Sequence, residues 1–266
     1  MARGLEGVVD LQLASPGVAL VTLNLPQLRN AMTAELTSAW TVVMDKLAGD
    51  RSLRVLVVTG TGSAFCSGAD LSWLDQGNRS DNTPDRLRDK MLPFYRAWLA
   101  PLQLPVPVVA AVNGPAVGAG LCLALACDLR YASPAATFSA PFTQLGTHGG
   151  MAVSWLLPET VGTSRAREML HTGRVVTAAE ALAWGLVSDV ERDVVGRALE
   201  VAEGVARAAP IAIRLTKAGL GQNSPGRFEL ALQWEALAQP VTLSTNDIHK
   251  GVRARREHRP PAFDGD

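Results

Sequence analysis

The stretch Asn113 to Asp128, NGPAVGAGLCLALACD, constrains this chain more than any other. A turn of small residues (Gly114, Gly118, Ala119, Gly120) runs directly into an apolar helix. A helix start carries backbone N–H groups without intrahelical partners, and negative charge is stabilised there. Small side chains let a ligand approach that backbone closely. The strand ahead of it, Val106 to Val112, is a continuous apolar run with proline at its entry, as a buried strand would be.

The flanking sequence builds the same kind of architecture. Val8 to Leu13 and Val18 to Asn24 read as strands of a hairpin turning at Ser15-Pro16-Gly17. Thr33 caps a helix carrying Leu36, Trp40, Val43 and Leu47 inward. Arg54 to Thr59 is another buried strand, Asp85 to Ala100 a helix kinked or broken at Pro93, and Thr137 to Ala140 a short strand. From about Thr163 the chain turns mostly helical. Thr177 to Glu180 fits a capping box, Gly185 a stop, and Pro210 a first helical turn. Alternating strands and helices give an α/β fold.

Composition excludes several functions. The 266 residues are 47% hydrophobic and 19% charged, a folded globule. A formal net charge of +0 gives no basic field for nucleic acid. No apolar run is long enough to span a membrane, the start MARGLEGVVD has no signal-peptide core, and three cysteines without a CxxC pair make no disulfide framework. A cytoplasmic location is expected. Gly60-Thr-Gly62 and Gly118-Ala-Gly120 lack the third glycine of a dinucleotide fingerprint, with Phe65 and Leu123 in its place. No P-loop or HExxH occurs, the histidines have no metal spacing, and Ser67 and Ser154 lack a nucleophile elbow. No metal or separate cofactor is expected.

Several motifs in order resemble the crotonase, or enoyl-CoA hydratase/isomerase, superfamily. They are LNLPQLRNAM (from Leu23), TGTGSAFCSGADL (from Thr59), the central stretch above, FSAPFTQLGTHGG (from Phe138) and LHTGRVVTAAEALAWGLV (from Leu170). The resemblance covers nearly the whole chain. It implies a crotonase-like spiral of repeated ββα units over residues 1–200. A helical region over 201–266 would pack on the core and on neighbouring subunits in a homotrimer or dimer of trimers. It implies an acyl-CoA thioester as the partner, coenzyme A being part of the substrate, and an oxyanion hole made by the amides of Ala69 and Ala119. For acyl-CoA contacts it points to Arg29, Ala64, Cys66, Asp70, Leu71, Trp73, Gly118, Arg255 and His258. Arg29 reads equally as a surface arginine, Cys66 and Cys127 as cysteines without a role, and Asp70 and Asp128 as structural anchors.

The acids of the family are replaced. The two glutamates that hydratases use match Cys122 and Phe142, and an aspartate of some isomerases and dehalogenases matches Gly150. Each positioned acid or base contributes roughly 10²–10⁴-fold, so ordinary hydration is expected to be weak or absent. Cys122 is either a thiolate lowered by its helix start or an apolar filler. His148 is a speculative acid or base, histidine being suited to proton transfer near neutrality, or a satisfied loop residue. Thr143 and Gln144 bond either a substrate or their own loop. Two functions remain open: an enzyme stabilising a thioester enolate, and a non-catalytic acyl-CoA carrier or regulator. An RNA-binding role finds no support in the charge.

Overall fold

A computed structural model of the chain describes residues 7–70, 83–222 and 225–263. The chain opens with the expected hairpin, β1 (Val9–Ser15) antiparallel to β2 (Val18–Leu23). Thr33 then accepts the Leu36 N–H at 3.1 Å and starts α1 (Ala34–Gly49), which buries Leu36, Trp40, Met44 and Leu47. Val43 is only partly buried against the core. Next come β3 (Val55–Gly60), buried throughout, and α2 (Pro84–Trp98). Pro93 neither ends nor splits α2: the helix continues for five residues past it.

The central part comprises β4 (Val108–Val112), β5 (Ala116–Val117), α3 (Ala119–Leu125), β6 (Leu129–Ala132) and β7 (Thr137–Ser139). After it follow α4 (Val153–Val161), α5 (Thr163–Thr172), β8 (Val175–Thr177), α6 (Ala178–Ala183) and β9 (Asp189–Val190). The chain ends in α7 (Val194–Ala206), α8 (Pro210–Gln222), α9 (Pro225–Leu243) and α10 (Asn246–Arg256). The capping box is present: Thr177 accepts from the Glu180 N–H, and the Glu180 carboxylate accepts from the Thr177 N–H.

Six strands form one sheet in the order β1-β2-β3-β4-β6-β9, parallel except for the first pair. A smaller sheet has the order β5-β7-β8. Alternation along the parallel strands feeds two cores. Leu56, Val58, Val108, Ala110 and Val112 face the main core under α1, α2 and α3. Val55, Val57, Val109 and Ala111 face a second one, closed by Val194, Ala198 and Ala202 of α7. The division expected after residue 200 therefore falls inside a helix of the core layer, and α7 belongs with the sheet. Asp128 ties the later helices down, its carboxylate accepting from the Val108 N–H at 2.7 Å and from Lys217 of α8 at 2.8 Å.

Helices α2 and α9 pack on each other, and α9 also packs on α4. This brings the C-terminal part of the chain against the turn after β7. No helix among the described residues is long and apolar enough to cross a membrane.

Candidate functional site

Two backbone turns meet at the end of the central strands. Asn30 is fully buried with a positive φ of 54°. Its side-chain oxygen accepts from the Leu25 N–H, and its amide donates to the carbonyls of Thr61 and Ala64. The loop 61–70 is thereby pinned beside the turn at 113–118. Cys66 pairs with Ala116, and the Val117 N–H donates to the Cys66 carbonyl at 3.0 Å. A side chain at Gly120 would collide with that carbonyl, and one at Gly68 (φ 102°) would put its Cβ 2.7 Å from the Val117 carbonyl. Only glycine permits this backbone contact.

The contact sets Ala69 and Ala119 on the wall of one cleft of about 750 Å³. Ala119 opens α3, so its N–H has no intrahelical acceptor. Among the described residues, neither its amide nor that of Ala69 donates to a protein group. Two free N–H donors on one cleft wall can stabilise a developing oxyanion.

The rest of the wall is mostly apolar, with Met32, Met91, Phe94, Phe142, Met151 and Leu243 among its side chains. The Phe142 ring lies 3.8 Å from where a Gly118 Cβ would stand and 3.7 Å from one at Gly149. Lys90 and Asp70 border the cleft. Polar groups also converge behind and beside Gly150. Tyr95 of α2 donates to Gln239 of α9, and Gln239 donates to the His148 carbonyl at 2.9 Å. Glu235 of α9 is fully buried, and one of its oxygens accepts from the Ser154 N–H at 2.7 Å and from the Ser154 hydroxyl. Among the described residues, its other oxygen has no hydrogen-bond partner. Burial raises the Glu235 pKa against the lowering effect of the Ser154 bonds.

The enoyl-CoA hydratase/isomerase family model matches residues 14–266. The chain belongs to that family. It is 42% identical over 214 residues to a probable enoyl-CoA hydratase of Mycobacterium tuberculosis, echA14, covering 80% of this chain and 82% of that one. The fold superposes on an enoyl-CoA hydratase from Mycobacterium avium subsp. paratuberculosis with a TM-score of 0.85, at 32% identity and coverage of 97% and 98%. It also matches a monofunctional enoyl-CoA isomerase from M. smegmatis with a TM-score of 0.68, at 39% identity and coverage of 82% and 93%.

Within this family member, the structure separates the expected site residues. Ala69, Asp70, Gly118, Ala119, Phe142 and Gly150 line the cleft. Cys122 does not. It is fully buried, its thiol points to the Gly150 carbonyl at 3.5 Å, and burial, then the charge of Glu235, pushes its pKa well up. The thiolate expectation is corrected: Cys122 is a neutral filler behind the wall. Ala64 and Cys66 are likewise buried away from the cleft, the Cys66 thiol donating to the Asn30 carbonyl and pushed up to about 12 by burial.

His148 is half-buried off the cleft. Its Nδ1 faces the Gly149 carbonyl at 2.7 Å, and its ring meets Trp234 edge-on. A carbonyl only accepts, so Nδ1 carries the proton and is engaged. Thr143 turns away, its hydroxyl bonding the carbonyls of Leu170 and His171. Gln144 bonds the Thr172 carbonyl. Arg29, Arg255 and His258 are exposed and outside the cleft wall. Leu71 and Trp73 lie outside the described residues.

Sequence reasoning missed Tyr95, Gln239 and Glu235. The one signal was a glutamate within the otherwise apolar run LQWEALA of α9, since a buried carboxylate needs a reason to be there.

Proposed function

We propose that the protein binds an acyl-CoA thioester with its carbonyl oxygen between the amides of Ala69 and Ala119, and stabilises the enolate that forms there. The observation that carries this reading is the pair of unpartnered N–H groups on one cleft wall. Enolate formation moves negative charge onto the thioester oxygen, and each fixed donor at that oxygen lowers the barrier by roughly 2.7–4 kcal/mol. The apolar side chains of α2, α9 and the turn after β7 give the acyl chain an apolar pocket.

Ordinary hydration is weak or absent in this reading. Cys122 and Phe142 carry no titratable group into the cleft, and Gly150 carries no side chain. The reaction is then an isomerisation or another enolate step on an enoyl- or acyl-CoA. The matched relatives carry names from hydration and isomerisation of enoyl-CoA, which is consistent with this substrate class.

We also propose that the chain assembles as a trimer. Leu230, Trp234, Leu237 and Val241 recur along one exposed face of α9, at the spacing of a helix-packing stripe. A second copy of this chain is the proposed occupant. The test of function is titration of a panel of acyl- and enoyl-CoAs by calorimetry, with the mixtures followed by mass-resolved chromatography. Saturable binding with product formation is expected. Saturable binding without product from any thioester would instead indicate a carrier.

A further inference from the structure

We propose that the Tyr95 hydroxyl, held by Gln239, is the group that moves the proton between solvent and the α-carbon of the bound thioester. This rests on the thioester reading above.

Position 150 would direct a side chain to the place where Tyr95 and Gln239 meet. A Cβ there would lie 2.6 Å from the Tyr95 oxygen and 2.7 and 2.9 Å from the two terminal atoms of Gln239. A phenol from α2 and a carboxamide from α9 therefore fill the space that a side chain at position 150 would enter. Tyr95, Gln239 and Gly150 line the same cleft as Ala69 and Ala119.

Gln239 fixes the orientation of the phenol. Its own amide is held by the His148 carbonyl, so its oxygen is presented to Tyr95. The main-chain N–H of His148 is held in turn by Thr242, one turn further along α9. The hydroxyl is thus positioned by a chain of bonds and retains oxygen lone pairs for a second partner.

The other titratable groups around it come from five segments. Glu235 faces it from α9 and Cys122 from α3, while His148 lies beyond Gln239, and Lys90 and Asp70 border the cleft. Burial first, then the charge of Glu235, pushes the phenol well above its usual range. It is protonated at neutral pH and acts as the acid on an enolate.

In the forward direction the phenol O–H turns from the Gln239 oxygen to the enolate and breaks, its proton forms the new bond to the α-carbon, and the enolate electron pair becomes that C–H bond. The phenolate takes a proton from solvent water. In reverse the phenolate removes an α-proton, and the carbanion pair passes to the thioester oxygen.

The test is incorporation of deuterium from D₂O into the α-position of a saturated acyl-CoA, measured by mass spectrometry beside the calorimetric Kd of the same thioester. The wild type is expected to bind and to exchange, with a rate rising about tenfold per pH unit from pH 7 to 9, as the phenolate fraction does below its pKa. Tyr95→Phe is expected to bind within about threefold and to exchange at least about 100-fold more slowly. Gln239→Leu, which keeps the phenol and frees it, is expected to lose about tenfold while keeping the pH slope.

Exchange in Tyr95→Phe within threefold of the wild type, or a wild type that binds but does not exchange, overturns the assignment and leaves the thioester reading standing. A wild type that binds no thioester overturns that reading as well. If Tyr95→Phe does not fold, full exchange by Gln239→Leu overturns the assignment.

Discussion

A Cβ on Gly150 would stand 2.6 Å from the hydroxyl oxygen of Tyr95, closer than the two atoms tolerate. Glycine at this position is therefore a consequence of what α2 and α9 deliver. Placing a carboxylate here cannot be a neutral change. Gly150→Asp is expected to cost about 1–3 kcal/mol, the usual range for overpacking a filled site. Urea denaturation of the variant beside the wild type checks this; an unchanged midpoint would mean that the tyrosine can swing away freely.

Glu235 has a raised pKa, with burial the largest cause. A carboxyl that binds its proton more tightly when folded makes the folded state take up protons. Its contribution to stability therefore falls as pH rises from the ordinary glutamate value to the folded one. Glu235→Gln keeps the shape and removes the charge. The variant is expected to match the wild type near pH 4 and to gain on it progressively above pH 5. Denaturation midpoints from pH 4 to 8 measure the difference, and a constant gap across that range would show that Glu235 is not perturbed.

Cys122 is enclosed and neutral. Iodoacetamide is expected to leave it unmodified in the folded protein at pH 8, as read by peptide mass spectrometry. Cys122→Ala is expected to keep thioester turnover within about twofold while costing stability of about 1 kcal/mol, as a small buried truncation does. A large loss of turnover with normal binding would return Cys122 to the chemistry.

The exposed stripe on α9 carries a solution-level expectation. The wild type should run as a multiple of three 28.1 kDa chains in light scattering. Leu237→Asp, placing a charge in a face that is 53% exposed in the single chain, should shift the mass toward the monomer. A monomeric wild type would contradict the proposed assembly.

Much of this was legible in the sequence because the signals were local. Thr33 and Thr177 announce their helices through residues three positions away, and the capping bonds form as expected. The glycines of the central turn encode close backbone contact, and Ala69 and Ala119 reach the same cleft through it. What the sequence concealed is the company those residues keep. Tyr95 and Gln239 are 144 positions apart, and no periodicity reports a meeting at that separation.

Helix α9 concealed its role for a further reason. It is apolar on two faces, with Leu232, Ala236 and Leu243 inward and Leu230, Trp234 and Leu237 outward, so its pattern does not tell which face meets the core. The thiolate reading of Cys122 failed on burial. Proximity to a helix start lowers a thiol pKa only where the charge is solvated or paired, and here burial acts in the opposite direction.

The central claim is that the Ala69 and Ala119 amides together polarise a thioester carbonyl. Isotope-edited infrared spectroscopy of a ¹³C=O-labelled acyl-CoA, free and bound, tests it most directly. Two converging N–H donors draw electron density to oxygen and weaken the C=O bond. A shift of the labelled band to lower frequency on binding is the predicted result. A bound thioester whose carbonyl band stays at its position in water or moves to higher frequency would contradict the account.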